Sequence, residues 1–184
     1  MIPREAKLVF KGVLFDVYQW EQEMFDGSFQ TFERLQRKPS VNILPITEDG
    51  KIMLLEEEQP TRPKFICLPG GQVEATESMD VAAKRELLEE TGYEGSMELW
   101  METNPYGNKI DWTVNSYVAR NCKKVAEQRL DAGEKISLFF VDIEKFIDIA
   151  ISDATFQNVE VTLVVMQAMR KPRGLDELKK FLLG

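Results

Sequence analysis

Residues 71–93, GQVEATESMDVAAKRELLEETGY, constrain this chain more than any other stretch. Pro69-Gly70-Gly71 breaks regular structure before it, and Gly92 stands where a helix would end. Between them the spacing predicts a helix from about residue 77 to 90. Segments that read as strands lie on both sides. Residues 9–19 and 29–36 are rich in β-branched and aromatic residues and flank Asp26-Gly27, which predicts a hairpin. Residues 41–47 and 51–56 flank Glu48-Asp49-Gly50 in the same way, and FICL at 65–68 reads as a short buried strand. Further strands are expected at 97–103, 112–119 and 136–142, with helices at 143–151, 156–170 and 174–183. One internal helix amid many strands, with more helices at the C-terminal end, predicts an α+β fold with a mixed or antiparallel sheet covered by helices. At 184 residues, with no repeat or linker, residues 1–184 read as one domain, with residues 1–40 as an N-terminal β-hairpin arm.

The internal helix also holds the chemistry. Residues 71–93, which contain it, carry six acids and two bases, half of the chain's net charge of −8. Glu86, Glu89 and Glu90 stand at i, i+3 and i+4, so at about 100° per residue they share an arc of roughly 100°. Ala83 and Leu87 lie beside that arc, and Val81 and Leu88 nearly opposite. The pattern predicts a helix gripped on two sides with a carboxylate edge left over. Like charges at this spacing repel one another. Two readings follow: a solvated acidic face, or a site for a divalent cation. Arg85, four residues before Glu89, is placed to pair with it. The two glycines before the helix let backbone carbonyls come close to a metal.

Composition narrows the chemistry further. There is no histidine, which removes histidine triads, histidine-ligated zinc and a histidine base. Oxygen ligands remain, and these suit Mg²⁺ or Mn²⁺. The acidic balance argues against nucleic acid as a partner, though not against a phosphate ester brought in by a metal. No run approaches the ~18 apolar residues of a membrane helix, and residues 1–15 lack the apolar core of a signal peptide. Cys67 and Cys122 have no paired spacing; buried free thiols in a reducing cytoplasm and a single bridge are the two alternatives.

Gly71, Glu77, Arg85, Glu86, Leu87, Glu89, Glu90 and Gly92 fit G-x5-E-x7-R-E-U-x-E-E-x-G-U, where U is a bulky apolar residue. This resembles the signature of the Nudix hydrolases. Tyr93 departs from the aliphatic residue usual at the last position, a change expected to affect packing more than chemistry. The run ITEDGKIMLLEEEQPTRP before LPGG looks like the ADP-ribose pyrophosphatase branch. The resemblance implies an α/β/α sandwich and Mg²⁺-dependent cleavage of a nucleoside diphosphate linked to a second group. ADP-ribose is the first substrate expected. Another nucleotide sugar such as GDP-mannose, a nucleoside triphosphate, and a non-catalytic nucleotide-sensing module are the alternatives.

The same resemblance implies that Glu86, Glu89, Glu90 and the Gly70 carbonyl hold Mg²⁺, with Mn²⁺ as a substitute. It implies that Arg85 orients a glutamate and that Glu77 supports the loop and helix. Gly71 and Gly92 complete the motif. Glu134, in LDAGEKI just before a late strand, is the expected base, against the alternatives of a solvated turn carboxylate there or a signature glutamate as base. Ala132 replaces an acid found in some relatives. Arg62 reads either as a phosphate contact or as a surface arginine between prolines. Tyr106 and Trp112, past Pro105, and Trp20, Phe25, Phe29 and Phe32 in the arm are candidates for stacking on a base or ribose. The alternative is that they are core or interface aromatics. The arm is expected to contact a second copy in a homodimer. VEVTLVVMQAM at 159–169 is expected to be a buried core or dimer helix.

Overall fold

The computed structural model describes residues 2–107 and 109–184. Strands β1 (Lys7–Lys11), β2 (Asp16–Glu23) and β3 (Phe29–Gln36) form an antiparallel arm. The expected single strand over 9–19 is in fact two. The Gly12 N–H donates to the Phe15 carbonyl and reverses the chain, at a point where any Cβ would overlap that carbonyl. The β2–β3 turn is the expected one: Gly27 has φ of 81°, and Asp26 Oδ1 accepts from the Ser28 N–H. A two-residue strand, β9 (Ile110–Asp111), completes this sheet parallel to β3.

The main sheet contains β4 (Ser40–Thr47), β5 (Ile52–Gln59), β8 (Tyr93–Thr103), β10 (Val114–Lys124) and β11 (Lys135–Val141), in the order β11-β5-β4-β10-β8. β4 and β10 run parallel and the other pairs antiparallel, so the sheet is mixed. Two shorter strands join it: β6 (Arg62–Cys67) on β5, and β7 (Gly70–Gln72) on β4. The break expected at Pro69-Gly70-Gly71 is therefore partly a strand. Gly70 makes this possible, because a Cβ there would overlap the Val41 carbonyl. β8 also starts earlier than expected, directly after Gly92.

Alternation along the central strands explains the layers. Val41 and Ile43 of β4 and Tyr117 and Ala119 of β10 pack against Ala82, Ala83 and Leu87 of α1 (Met79–Thr91). Leu44, Ile46 and Val118 point to the other face, where they meet α2 (Ile143–Ser152), α3 (Val159–Met169) and α4 (Gly174–Leu183). Both faces are covered, so these strands read as continuous apolar runs. The result is the expected α+β fold, an α/β/α sandwich around a mixed sheet. One expectation about a helix needs correction. Only one side of α1 is gripped, because Val81 is exposed on the flank away from the sheet. α3 buries Val161 and Val165 but leaves Val159, Leu163, Met166 and Met169 exposed, so it is half covered within this chain. Among the described residues no helix is long and apolar enough to cross a membrane.

Candidate active site

α1 begins at Ser78, whose hydroxyl accepts from the Val81 N–H at 3.4 Å, and ends at Gly92, which adopts φ 77°. A Cβ at Gly92 would overlap the Ala126 carbonyl, so glycine is required on two grounds. Thr91 ties the last turn down by donating its hydroxyl to the Leu87 carbonyl at 2.5 Å.

Arg85 is the hub of the site. Its guanidinium donates to Glu77 Oε1 at 2.7 Å, Glu86 Oε1 at 2.9 Å, Glu89 Oε2 at 3.1 Å and the Gln72 carbonyl at 3.1 Å. Burial works against its charge, but the carboxylates outweigh it, Glu77 foremost, and hold the guanidinium firmly protonated. In return Arg85 holds the Glu77 carboxyl below the usual range. Glu77 Oε1 also accepts from the Glu74 N–H at 2.9 Å, in the loop before the helix.

The remaining carboxylates lie deeper. Burial pushes the Glu86 carboxyl up, opposed by Arg85 and reinforced by the charges of Glu89 and Glu134. Glu90 is only 7% exposed. Burial raises its carboxyl well above the usual range, the Gly70 N–H at 2.8 Å opposes this, and Glu86, Glu134 and Glu57 add to it. Glu134 is likewise pushed up, first by burial and then by Glu57 and Asp131. Its Oε2 accepts from the Asp131 N–H at 3.3 Å. The fold thus brings Glu77, Arg85, Glu86, Glu89, Glu90, Gly70, Gly71 and Glu134 together. A Cβ at Gly71 would meet the Glu86 carboxylate, which would have to swing away from Arg85.

This donor set is made of oxygens and carries dense negative charge at partial burial, with Arg85 shared among several acids. It fits an oxygen-ligated divalent cation in kind and in charge. Among the described residues, no three Cys, Asp or Glu converge on a single point. Glu86 and Glu89 lean on Arg85 instead.

Arg62 and Glu134 line one cleft of about 570 Å³ together with Gln59, Thr61, Gly133 and Lys135. The Arg62 guanidinium lies 4.1 Å from the Phe65 ring centre and donates to Gln157 at 2.9 Å. Tyr106 lies elsewhere. It stacks on Trp112 (6.2 Å between centres, 12° between planes), beside Arg37 and the arm. Trp20 packs on Phe32 within the arm, while Phe25 and Phe29 are exposed. Cys67 and Cys122 are buried free thiols, and no bridge joins them. Sequence reasoning missed Glu57, a buried carboxylate on β5. The strand expected at 51–56 stops short of it, and its place in the inward row of Met53 and Leu55 appears only because β5 runs on to Gln59.

The NUDIX domain family model matches residues 36–161, more than half of the chain. The chain belongs to the Nudix family. The ADP-ribose pyrophosphatase of Bacillus subtilis (strain 168) is 29% identical over 140 residues, covering 74% of this chain and 75% of that protein. The methanol dehydrogenase activator of Bacillus methanolicus is 28% identical over 146 residues, covering 77% and 78%. Among solved structures, an ADP compounds hydrolase superposes with a TM-score of 0.73 over 90% of this chain and 91% of that one; at 20% identity it speaks for the Nudix fold. The membership expected from the sequence, a Nudix pyrophosphohydrolase related to ADP-ribose pyrophosphatases, holds.

Proposed function

We propose that this Nudix protein hydrolyses the pyrophosphate bond of a nucleoside diphosphate sugar, ADP-ribose first, giving AMP and ribose 5-phosphate. One observation carries the reading: the signature acids fold into a partly buried carboxylate centre beside a cleft that holds both Arg62 and Glu134. Glu86, Glu89, Glu90 and the Gly70 carbonyl would hold Mg²⁺, with Mn²⁺ as a substitute. A bound ion supplies positive charge toward the phosphate oxygens and lowers the pKa of water.

The protein's own groups do the rest. Glu134, with its carboxyl already pushed up, takes the proton of the attacking water. Arg62 meets a phosphate from the cleft wall. Arg85 fixes Glu86 and Glu89, and Glu77 fixes Arg85. Tyr106, with Trp112, offers an aromatic face for the base or ribose. That face requires the arm side of the molecule to join the site, which fits a homodimer built through residues 1–40 of a single-domain chain. The buried thiols fit a cytoplasmic protein, and the acidic surface fits a small-molecule substrate rather than nucleic acid or a membrane.

Incubation with ADP-ribose and Mg²⁺, read by product chromatography, tests this directly. Glu90→Gln is expected to keep the fold and lose about a hundredfold or more in kcat/KM, at or beyond the upper end for residues that merely support a metal ligand. Unchanged turnover in that variant would remove the metal role. A kcat/KM panel over nucleotide sugars, GDP-mannose and nucleoside triphosphates separates ADP-ribose from the other substrates.

A further inference from the structure

Glu57 lies outside the signature, yet it is 7% exposed in the middle of the sheet. It shares the inward row of β5 with Leu55, which packs with Phe65, Cys67 and Ile136. Leu54, the neighbour with opposite orientation, packs with α2, α3 and α4. Glu57 therefore stands on the face that carries α1. Its strand partners are Ile136 of β11, two residues past Glu134, and Phe65 of β6, which runs on through Cys67 toward Gly70. It is thus flanked by the two segments that deliver Glu134 and the Gly70 amide to the site.

The hydrogen bonds Glu57 accepts come from neutral groups: Gln59 Nε2 at 2.6 Å on Oε1 and the Cys67 thiol at 3.3 Å on Oε2. Arg62, a basic side chain of this wall, is turned to Gln157 and the face of Phe65. Among the described residues, then, this buried carboxylate is held by an amide and a thiol, which compensate its burial poorly. A purely packed position in this row would be filled more cheaply by another leucine. The pairings of β5 instead set Glu57 between the segment that carries Glu134 and the one that carries the Gly70 amide to Glu90.

We infer that Glu57 is a further carboxylate of the cation centre, contributing from the sheet while the signature glutamates contribute from α1. Gln59 and Cys67 are its positioning residues, since each fixes one carboxylate oxygen. The inference rests on the metal reading above, so its test separates the two.

Mn²⁺ is titrated into metal-stripped protein by calorimetry, and the melting temperature of the stripped protein is read beside it. Glu57→Gln is expected to weaken at least one bound Mn²⁺ by about tenfold or more. Without metal it is expected to melt at or above the wild-type temperature, because one crowded buried charge is gone. Glu57→Asp keeps the charge and is expected to fall between the two; if the glutamine form does not fold, a Mn²⁺ shift in the aspartate form supports the inference and no shift overturns it. Wild-type Mn²⁺ stoichiometry and affinity in Glu57→Gln overturns it, while Glu90→Gln still loses Mn²⁺ and leaves the metal reading standing. If the wild type and Glu90→Gln both take up no Mn²⁺, the metal reading fails and Glu57 falls with it.

Discussion

Arg85 shows how much a single side chain organises. Its contacts to Glu77, Glu86, Glu89 and the Gln72 carbonyl join the loop before α1 to the acidic edge of the helix. Arg85→Ala leaves several acids without a cation at partial burial. It is expected to lower unfolding free energy by about 2 kcal/mol, the range for hydrogen bonds to charged groups, in a urea titration. Arg85→Lys is expected to recover only part, since an ammonium cannot span the fork of contacts. At this scale the signature was legible because helical spacing fixes which side chains share an edge. Glu57 was not legible as a site residue. A strand acid announces burial only through its register with neighbouring strands, and that register is set by pairings such as Glu57 with Ile136, which are distant in sequence.

Local signals located most elements and misjudged some of their ends. Gly27 and Gly92 marked the arm hairpin and the stop of α1 because positive φ favours glycine there. Gly92→Ala combines a left-handed backbone with overlap on the Ala126 carbonyl, and is expected to cost at least about 1–2 kcal/mol in the same titration. The exchange should leave the carboxylates of α1 unaltered in kind. β7 and the split between β1 and β2 escaped the sequence reading for one reason. In both places a glycine lets backbone approach backbone, and glycine alone signals a break without saying whether a strand follows. The exposed side of α1 at Val81 escaped as well, since periodicity gives two apolar flanks and only the sheet decides which is covered.

For the whole molecule, layer order followed from the sequence, whereas the arm's place depended on contacts made late in the chain. Leu8, Phe10, Val13, Leu14, Phe25 and Phe29 are exposed on the arm. The family match begins only at residue 36, so these arm residues lie before it. Exposed apolar residues in such number fit the second copy proposed above. The double substitution Phe10→Asp and Phe29→Asp is expected to convert the proposed homodimer to monomer in light scattering. A monomeric wild type would remove the dimer from the proposal. If Tyr106 and Trp112 work only with the arm of a second copy, the same variant is expected to raise KM more than it lowers kcat.

The strand at Gly70–Gln72 carries one last consequence. Its pairing with β4 gives the backbone beside Glu90 the stiffness of the sheet rather than that of a loop. Arg62, Glu134 and Tyr106 instead stand at strand ends or in connecting segments. Such a division of labour lets descendants exchange one cargo for another by rewriting the rim while the engine beneath stays untouched.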